Sequence, residues 1–212
     1  MAAVSASALS DEQLMLRCRG AETEIARAIV GELARRHLER LAGFLFGLTG
    51  DRSGALDLAQ EAFVRVFRHR DRYKEIARFS TWLYTIGRNL ALNEIRNRKK
   101  RPDSSGSLRG SLDDSGESDP LNRFAGEGVS PAQAVEASEL QVLVRRAIET
   151  LPEHYRAPVI LCDIEERPYA EAAEILGVPI GTIRSRLSRA RAQLERTLRP
   201  QLSGYVAQDG AS

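Results

Sequence analysis

Apolar residues recur at intervals of three and four along most of the chain. Runs alternating apolar with polar are nearly absent, so the pattern predicts helices and almost no strand. A short helix is expected to start at Ser10, where SDEQ sets a hydroxyl cap three residues before Gln13 in capping-box fashion, and to end near Gly20. Ile25, Ile29, Leu33, Leu41, Leu45 and Leu48 then share one face of a long helix closed by Thr49 and Gly50. Leu56, Ala59, Phe63, Val66 and Phe67 mark a third helix. Leu83, Ile86, Leu90 and Ile95 mark a fourth that starts near Ser80.

The periodicity lapses over residues 102–130, PDSSGSLRGSLDDSGESDPLNRFAGEGVS, where Gly, Ser and Asp dominate and no apolar face forms. That composition predicts a flexible, acidic linker. Beyond it, Ser130 followed by Pro131 reads as a cap and first helical residue. Val135, Leu140, Leu143, Val144, Ile148 and Leu151 form that helix's inner face. Pro152 opens a shorter helix and Pro168 another, which stops at Gly177. After Val178, Pro179 and Ile180 comes a last helix. The expected fold is all-α, two small helical domains joined by a linker. The boundaries are 1–101 for the first domain, 102–130 for the linker, 131–200 for a four-helix domain containing a helix-turn-helix, and 201–212 for a disordered tail.

Composition narrows the picture little. With 28% charged and 42% hydrophobic residues the chain is an ordinary soluble one, and its net charge of +2 leaves the distribution of charge as the informative quantity. Cys18 and Cys162 lie far apart, and His37, His69 and His154 are scattered, so neither a metal site nor a disulfide framework is expected. The first residues lack the basic-then-apolar pattern of a signal peptide, and no segment approaches the roughly 20 apolar residues of a membrane span. The expectation is a cytoplasmic protein without membrane insertion. No nucleotide-binding loop, metal cluster or nucleophile–base set is present in the sequence, so it is read as a non-enzyme without a cofactor.

Charge gathers in two places. In residues 177–200, Arg184, Arg186, Arg189, Arg191, Arg196 and Arg199 face a single acid, Glu195. YAEAAEILGVPIGTIRSRLSRARAQL reads as a helix-turn-helix: Ala172 and Ala173 permit close packing, Gly177 ends the first helix, and Ile183, Leu187 and Leu194 anchor the second. Thr182, Arg184, Ser185, Ser188 and Arg189 are left on the outward N-terminal half, which in such motifs enters the major groove. Arginine suits that position because its fork reaches guanine O6 and N7 together and also neutralises phosphate. The second basic stretch, RNLALNEIRNRKKR, carries Arg96, Arg98, Lys99, Lys100 and Arg101 after Asn89 and Asn93, just downstream of Tyr73, Phe79, Trp82 and Tyr84. Aromatics beside cations and amides can stack on unpaired bases and track a backbone. For Phe79 and Trp82, core packing is the competing reading.

In order and spacing, DLAQEAFVRVFRHRDRY, FSTWLYTIGRNLALNEIRNRKKR, the linker and LPEHYRAPVILCDIEERPYAEAAEILGVPIGTIRSRLSRARAQL resemble a bacterial sigma factor of the extracytoplasmic-function (ECF) group. The resemblance implies a dissociable subunit that binds core RNA polymerase, recognises −35 and −10 promoter elements and helps melt the −10 region. It implies that Asp57, Gln60, Glu61 and Phe63 meet the clamp helices of the largest polymerase subunit, although an acidic face can also be plain solvated surface. It assigns −10 DNA to the loop 72–80 and the helix after it, with Phe79, Trp82, Asn89, Asn93, Arg96, Arg98 and Lys99. It assigns −35 DNA to Thr182, Arg184, Ser185, Arg186, Ser188 and Arg189, with Arg186 and Arg191 on the backbone. Position 188 is often larger in relatives, so Ser188 implies an altered base preference or a light contact. The linker would run toward the RNA exit path or act as a tether, and an anti-sigma factor would hold the protein inactive. The alternative reading, a stand-alone helix-turn-helix regulator, leaves the DLAQE and WLYTIGRN segments unexplained.

Overall fold

The computed structural model describes residues 8–100 and 131–209. The linker expected over 102–130 and residues 210–212 lie outside the described residues. All regular structure among them is helical, and the chain divides into two units, Met1–Asp114 and Ser115–Ser212.

The first unit begins with α1 (Asp11–Cys18), and the capping box forms as its sequence predicts: Gln13 N–H donates to Ser10 Oγ at 3.2 Å, and Ser10 N–H to Gln13 Oε1 at 3.0 Å. Next comes α2 (Thr23–Thr49), which stops where Gly50 takes a left-handed conformation, φ 69°, that costs a side-chain-bearing residue strain. Asp51 caps α3 (Arg52–Arg68) by accepting from Gly54 N–H at 3.0 Å. A 3-10 turn (Arg70–Arg72) and a loop lead to α4 (Phe79–Lys100).

Three alanines, Ala55, Ala59 and Ala62, form with Phe63 and Val66 the buried row of α3. Leu33, Leu41, Phe44 and Leu45 of α2 and Leu83 and Tyr84 of α4 are fully buried, and the Phe44 and Tyr84 rings pack 5.1 Å apart. Each such side chain stabilises the unit by roughly 1.5–3 kcal/mol through removal from water. A Cβ on Gly87 would lie 2.9 Å from Leu41 Cδ1, which measures how closely α4 approaches α2.

Some residues expected on inner faces are outside. Ile25 is 54% exposed because the inner row of α2 runs through Ala26, Ile29, Val30 and Leu33, about 100° away. Leu56 is likewise exposed, since Ala55 and Ala59 take the inner row of α3. Leu140 is exposed on α5.

The second unit comprises α5 (Pro131–Thr150), α6 (Glu153–Val159), a π-helical stretch (Ile160–Ile164), α7 (Tyr169–Leu176) and α8 (Ile180–Asp209). Pro152 and Pro168 sit at the N-caps of α6 and α7, where the missing N–H costs nothing. Pro158 lies inside α6 and cannot donate to a preceding carbonyl; directly after it the helix widens, with Glu165 N–H bonding Ile160 O at 2.8 Å. Ile148, Leu151, Val159, Ile160, Leu161, Ile175, Leu176, Ile183 and Leu187 form this unit's core. The tail expected to be disordered from 201 is helical as far as Asp209. Leu198, Leu202, Tyr205 and Val206 continue the spacing of three and four past Pro200.

Candidate nucleic-acid interface

The helix-turn-helix is assembled by local chemistry. Gly177 ends α7 with φ 62° and ψ 38°, and Val178 N–H closes back onto Ala173 O at 3.1 Å. Pro179 O then accepts from Thr182 N–H at 2.8 Å and Ile183 N–H at 3.3 Å, starting α8. Ile183, Leu187 and Ala190 form the buried row of α8. The opposite side therefore presents Arg184, Ser185, Ser188 and Arg189 to solvent, with Thr182 and Arg186 half-buried at its margins. Ser185 Oγ donates to Thr182 O at 3.0 Å, which leaves the hydroxyl oxygen able to accept from outside. Arg184, Arg186 and Arg189 pair with no acid among the described residues.

Arg191 differs. Its guanidinium grips Asp163 with two bonds, Nη2 to Oδ1 at 2.6 Å and Nε to Oδ2 at 3.2 Å, and Nη2 also reaches Tyr169 Oη at 3.3 Å. Expected on a DNA backbone, it instead fastens α8 to the π-helical stretch and to α7. Neither acceptor could be foreseen: Pro158 signals an irregularity but not the facing of Asp163, and Tyr169 reaches Arg191 only through the packing of α7 on α8. Arg167 and Glu171 form a further ion pair, largely buried, across the start of α7.

In the first unit, α4 presents Asn89, Asn93 and Arg96 as an exposed row, and Arg96 Nη1 donates to Asn93 Oδ1 at 3.2 Å. Trp82 is half-buried and leans on Tyr73, ring centroids 5.4 Å apart. Phe79, expected to touch DNA, is fully buried between His37 at 5.6 Å, Tyr73 and Trp82, both at 6.4 Å, so it supports the surface from behind. Burial pushes the Tyr73 hydroxyl up to about 12, and that hydroxyl donates to Ala77 O at 3.3 Å across the loop. Arg98 turns away from the Asn89 row: it bonds Asp51 Oδ2 at 2.5 Å and Glu94 Oε1 at 2.9 Å. Together with the Gly54 amide, it holds the Asp51 carboxyl below the usual carboxylate range. The Lys99 side chain lies outside the described residues.

Asp57 and Gln60 are exposed on α3, while Glu61 is half-buried and paired with Arg65 at 2.9 Å. Phe63, grouped with them at first, is buried because it belongs to the inner row, so it cannot meet a partner. Leu56 and Val64 instead share the outer side with Asp57 and Gln60, at 43% and 41% exposure. Their helical spacing would have located them once the inner row was known. Among the described residues no group of three or more His, Cys, Asp or Glu side chains could hold a metal ion, and no helix is long and apolar enough to cross a membrane.

Residues 33–101 match the family model of sigma-70 region 2, and residues 141–194 match that of sigma-70 region 4. The ECF RNA polymerase sigma factor SigW of Bacillus subtilis is 34% identical over 161 residues, covering 76% of this chain and 84% of that one. SigE of Mycolicibacterium smegmatis, also an ECF RNA polymerase sigma factor, is 36% identical over 163 residues, covering 77% of this chain and 59% of its own length. Among solved structures, the sigma factor RpoE of Bartonella quintana, in complex with the anti-sigma factor NepR, aligns with a TM-score of 0.61 at 27% identity over 80% of this chain and 96% of that one.

Proposed function

Since the chain belongs to the ECF RNA polymerase sigma factors, we infer that it binds core RNA polymerase, directs it to promoters through −35 and −10 elements, and helps open the −10 region. The observation that carries this reading is the pairing in one chain of the unpaired arginines at the start of α8 with the acid–amide–apolar stripe of α3. A stand-alone duplex-binding regulator would account for α8 and leave α3 and α4 without a task.

Asp57 and Gln60, flanked by Leu56 and Val64, form the surface for the clamp helices of the largest polymerase subunit. Carboxylate and amide supply charge complementarity to a basic coiled coil, and the two apolar side chains supply contact area. Trp82, Asn89, Asn93 and Arg96 line the path for the melted −10 strand, whose unpaired bases expose edges for amides and faces for stacking. Thr182, Arg184, Ser185, Ser188 and Arg189 face the −35 major groove, with Arg186 at its margin toward the phosphates. Lys99 and Arg98 contribute positive charge at the end of α4, Arg98 after exchanging Asp51 for phosphate. The protein is not itself an enzyme; bond making belongs to the core polymerase. It works in the cytoplasm, where that polymerase is, and an anti-sigma factor holds it off, as NepR is found with RpoE.

The test is a titration of the fluorescently labelled protein with bacterial core RNA polymerase, without DNA, at moderate salt. Saturable one-to-one binding is expected. Duplex binding by the protein alone, with no association with core, would transfer the case to the stand-alone regulator.

A further inference from the structure

The loop between the 3-10 turn and α4, residues 73–78, is the part of the first unit that would capture bases of the −10 element. Lys74, Glu75, Ile76 and Arg78 are exposed in it, Ile76 at 86%. Both ends of this loop are tied to a single short helix far away in sequence. At its end, Phe79 N–H, the first amide of α4, donates to Glu12 Oε1 at 3.1 Å. At its start, Asp71 Oδ1 accepts from Gly20 N–H at 2.9 Å, just past the end of α1. Arg19 leaves the helix with ψ 130°, which turns the Gly20 amide outward, and Gly20 holds φ 63°, a left-handed conformation that other residues adopt with strain. The helix is itself fixed to α2, since Asp11 bonds His37 Nε2 at 2.6 Å and Arg36 Nη1 at 2.9 Å. Inside the loop, the Tyr73–Ala77 bond spans the same gap.

Glu12 thus supplies from 67 residues away an acceptor for the first of the amides that a helix start leaves without an intrahelical partner. A carboxylate there also faces the positive end of the α4 dipole. Both ties come from residues ahead of the segment matched to region 2, which starts at residue 33.

We propose that α1 is a brace for the −10 loop, and that Glu12 and Asp71 are positioning residues that fix the loop's two ends so that its exposed residues hold one conformation for base capture. The proposal rests on the promoter-opening role inferred above.

The experiment is transcription from a library randomised at both promoter elements, by core polymerase with wild-type protein, Glu12→Ala, Glu12→Gln or Asp71→Ala, followed by sequencing of the transcripts. Glu12→Ala and Asp71→Ala are expected to reduce the enrichment of preferred −10 bases about threefold to tenfold, the scale of losing one helix cap. Enrichment at −35 and association with core are expected to stay as in wild type. Glu12→Gln keeps an acceptor oxygen and restores most of the −10 selectivity. Unchanged −10 enrichment in both alanine variants would overturn the proposal. An equal loss at both elements or weakened core association would overturn it too, because a general folding defect would act on all of them. If the wild-type protein selects neither element, the promoter-opening role itself fails, and the brace with it.

Discussion

At Arg191, two bonds to Asp163 and one to Tyr169 engage Nε and Nη2 within the protein and leave the Nη1 donors outward. Arg184 and Arg189 have no such internal partner, so their donors remain for a ligand. Replacing either with alanine is expected to weaken −35 duplex binding by about 1–3 kcal/mol if the contact is to a base edge. A phosphate contact would instead lower the salt dependence by about one unit of slope. Measuring affinity of both variants at several salt concentrations separates these cases. In the double variant, −35-dependent initiation should disappear with core association intact; loss of core association would contradict the division of labour between the units.

Among the elements, α3 has the most varied demands. Its start depends on Asp51, whose carboxyl is lowered first by the Gly54 amide and then by Arg98. A carboxyl lowered on folding adds stability that is present in full above its unfolded value, near 3.8, and is lost as pH falls through the lower folded value. Asp51→Asn keeps a capping acceptor but removes the charge. Its unfolding midpoint is therefore expected to fall less steeply than that of wild type below about pH 4, as followed by circular dichroism across an acid series. The outer side of α3 makes a separate prediction: charge reversal at Asp57 and Glu61 should weaken core association by tenfold or more. Unchanged affinity would leave this side as plain solvated surface. The caps and stops of the helices were legible in the sequence because each depends on neighbours in the chain, as at Ser10, Gly50 and Gly177. The facing of Leu56 was not, because it depends on which row of α3 meets α2. Phe63 and Phe79 each had a core reading beside a partner-facing one, and the inner row of α3 and the rings of His37 and Tyr73 around Phe79 decide for the core. The arginines of α8 were legible as a group, but Arg191 was separated from them only by Asp163, 28 residues away.

Across the whole molecule, the two units keep separate cores, so damage to one should spare the task of the other. Leu187 is 1% exposed in the second unit, and Leu187→Ala should cost about 2–5 kcal/mol there. Thermal unfolding is expected to show an earlier transition for that unit alone. Duplex −35 binding should be lost near this temperature, while core association through α3 persists. Simultaneous loss of both would mean that the units are energetically one body.

The π-helical stretch has a consequence for how this chain can change over time. The wide turn is the last turn of the helix that begins at Glu153, and it changes the facing of the residues it carries, Asp163 among them, relative to a regular α-helical turn. Deleting a single residue there would tidy the helix into a regular one and still swing Asp163 away from Arg191. The irregular turn thus sets a facing: α8 owes one of its moorings to a residue that helical regularity alone would have placed on another side.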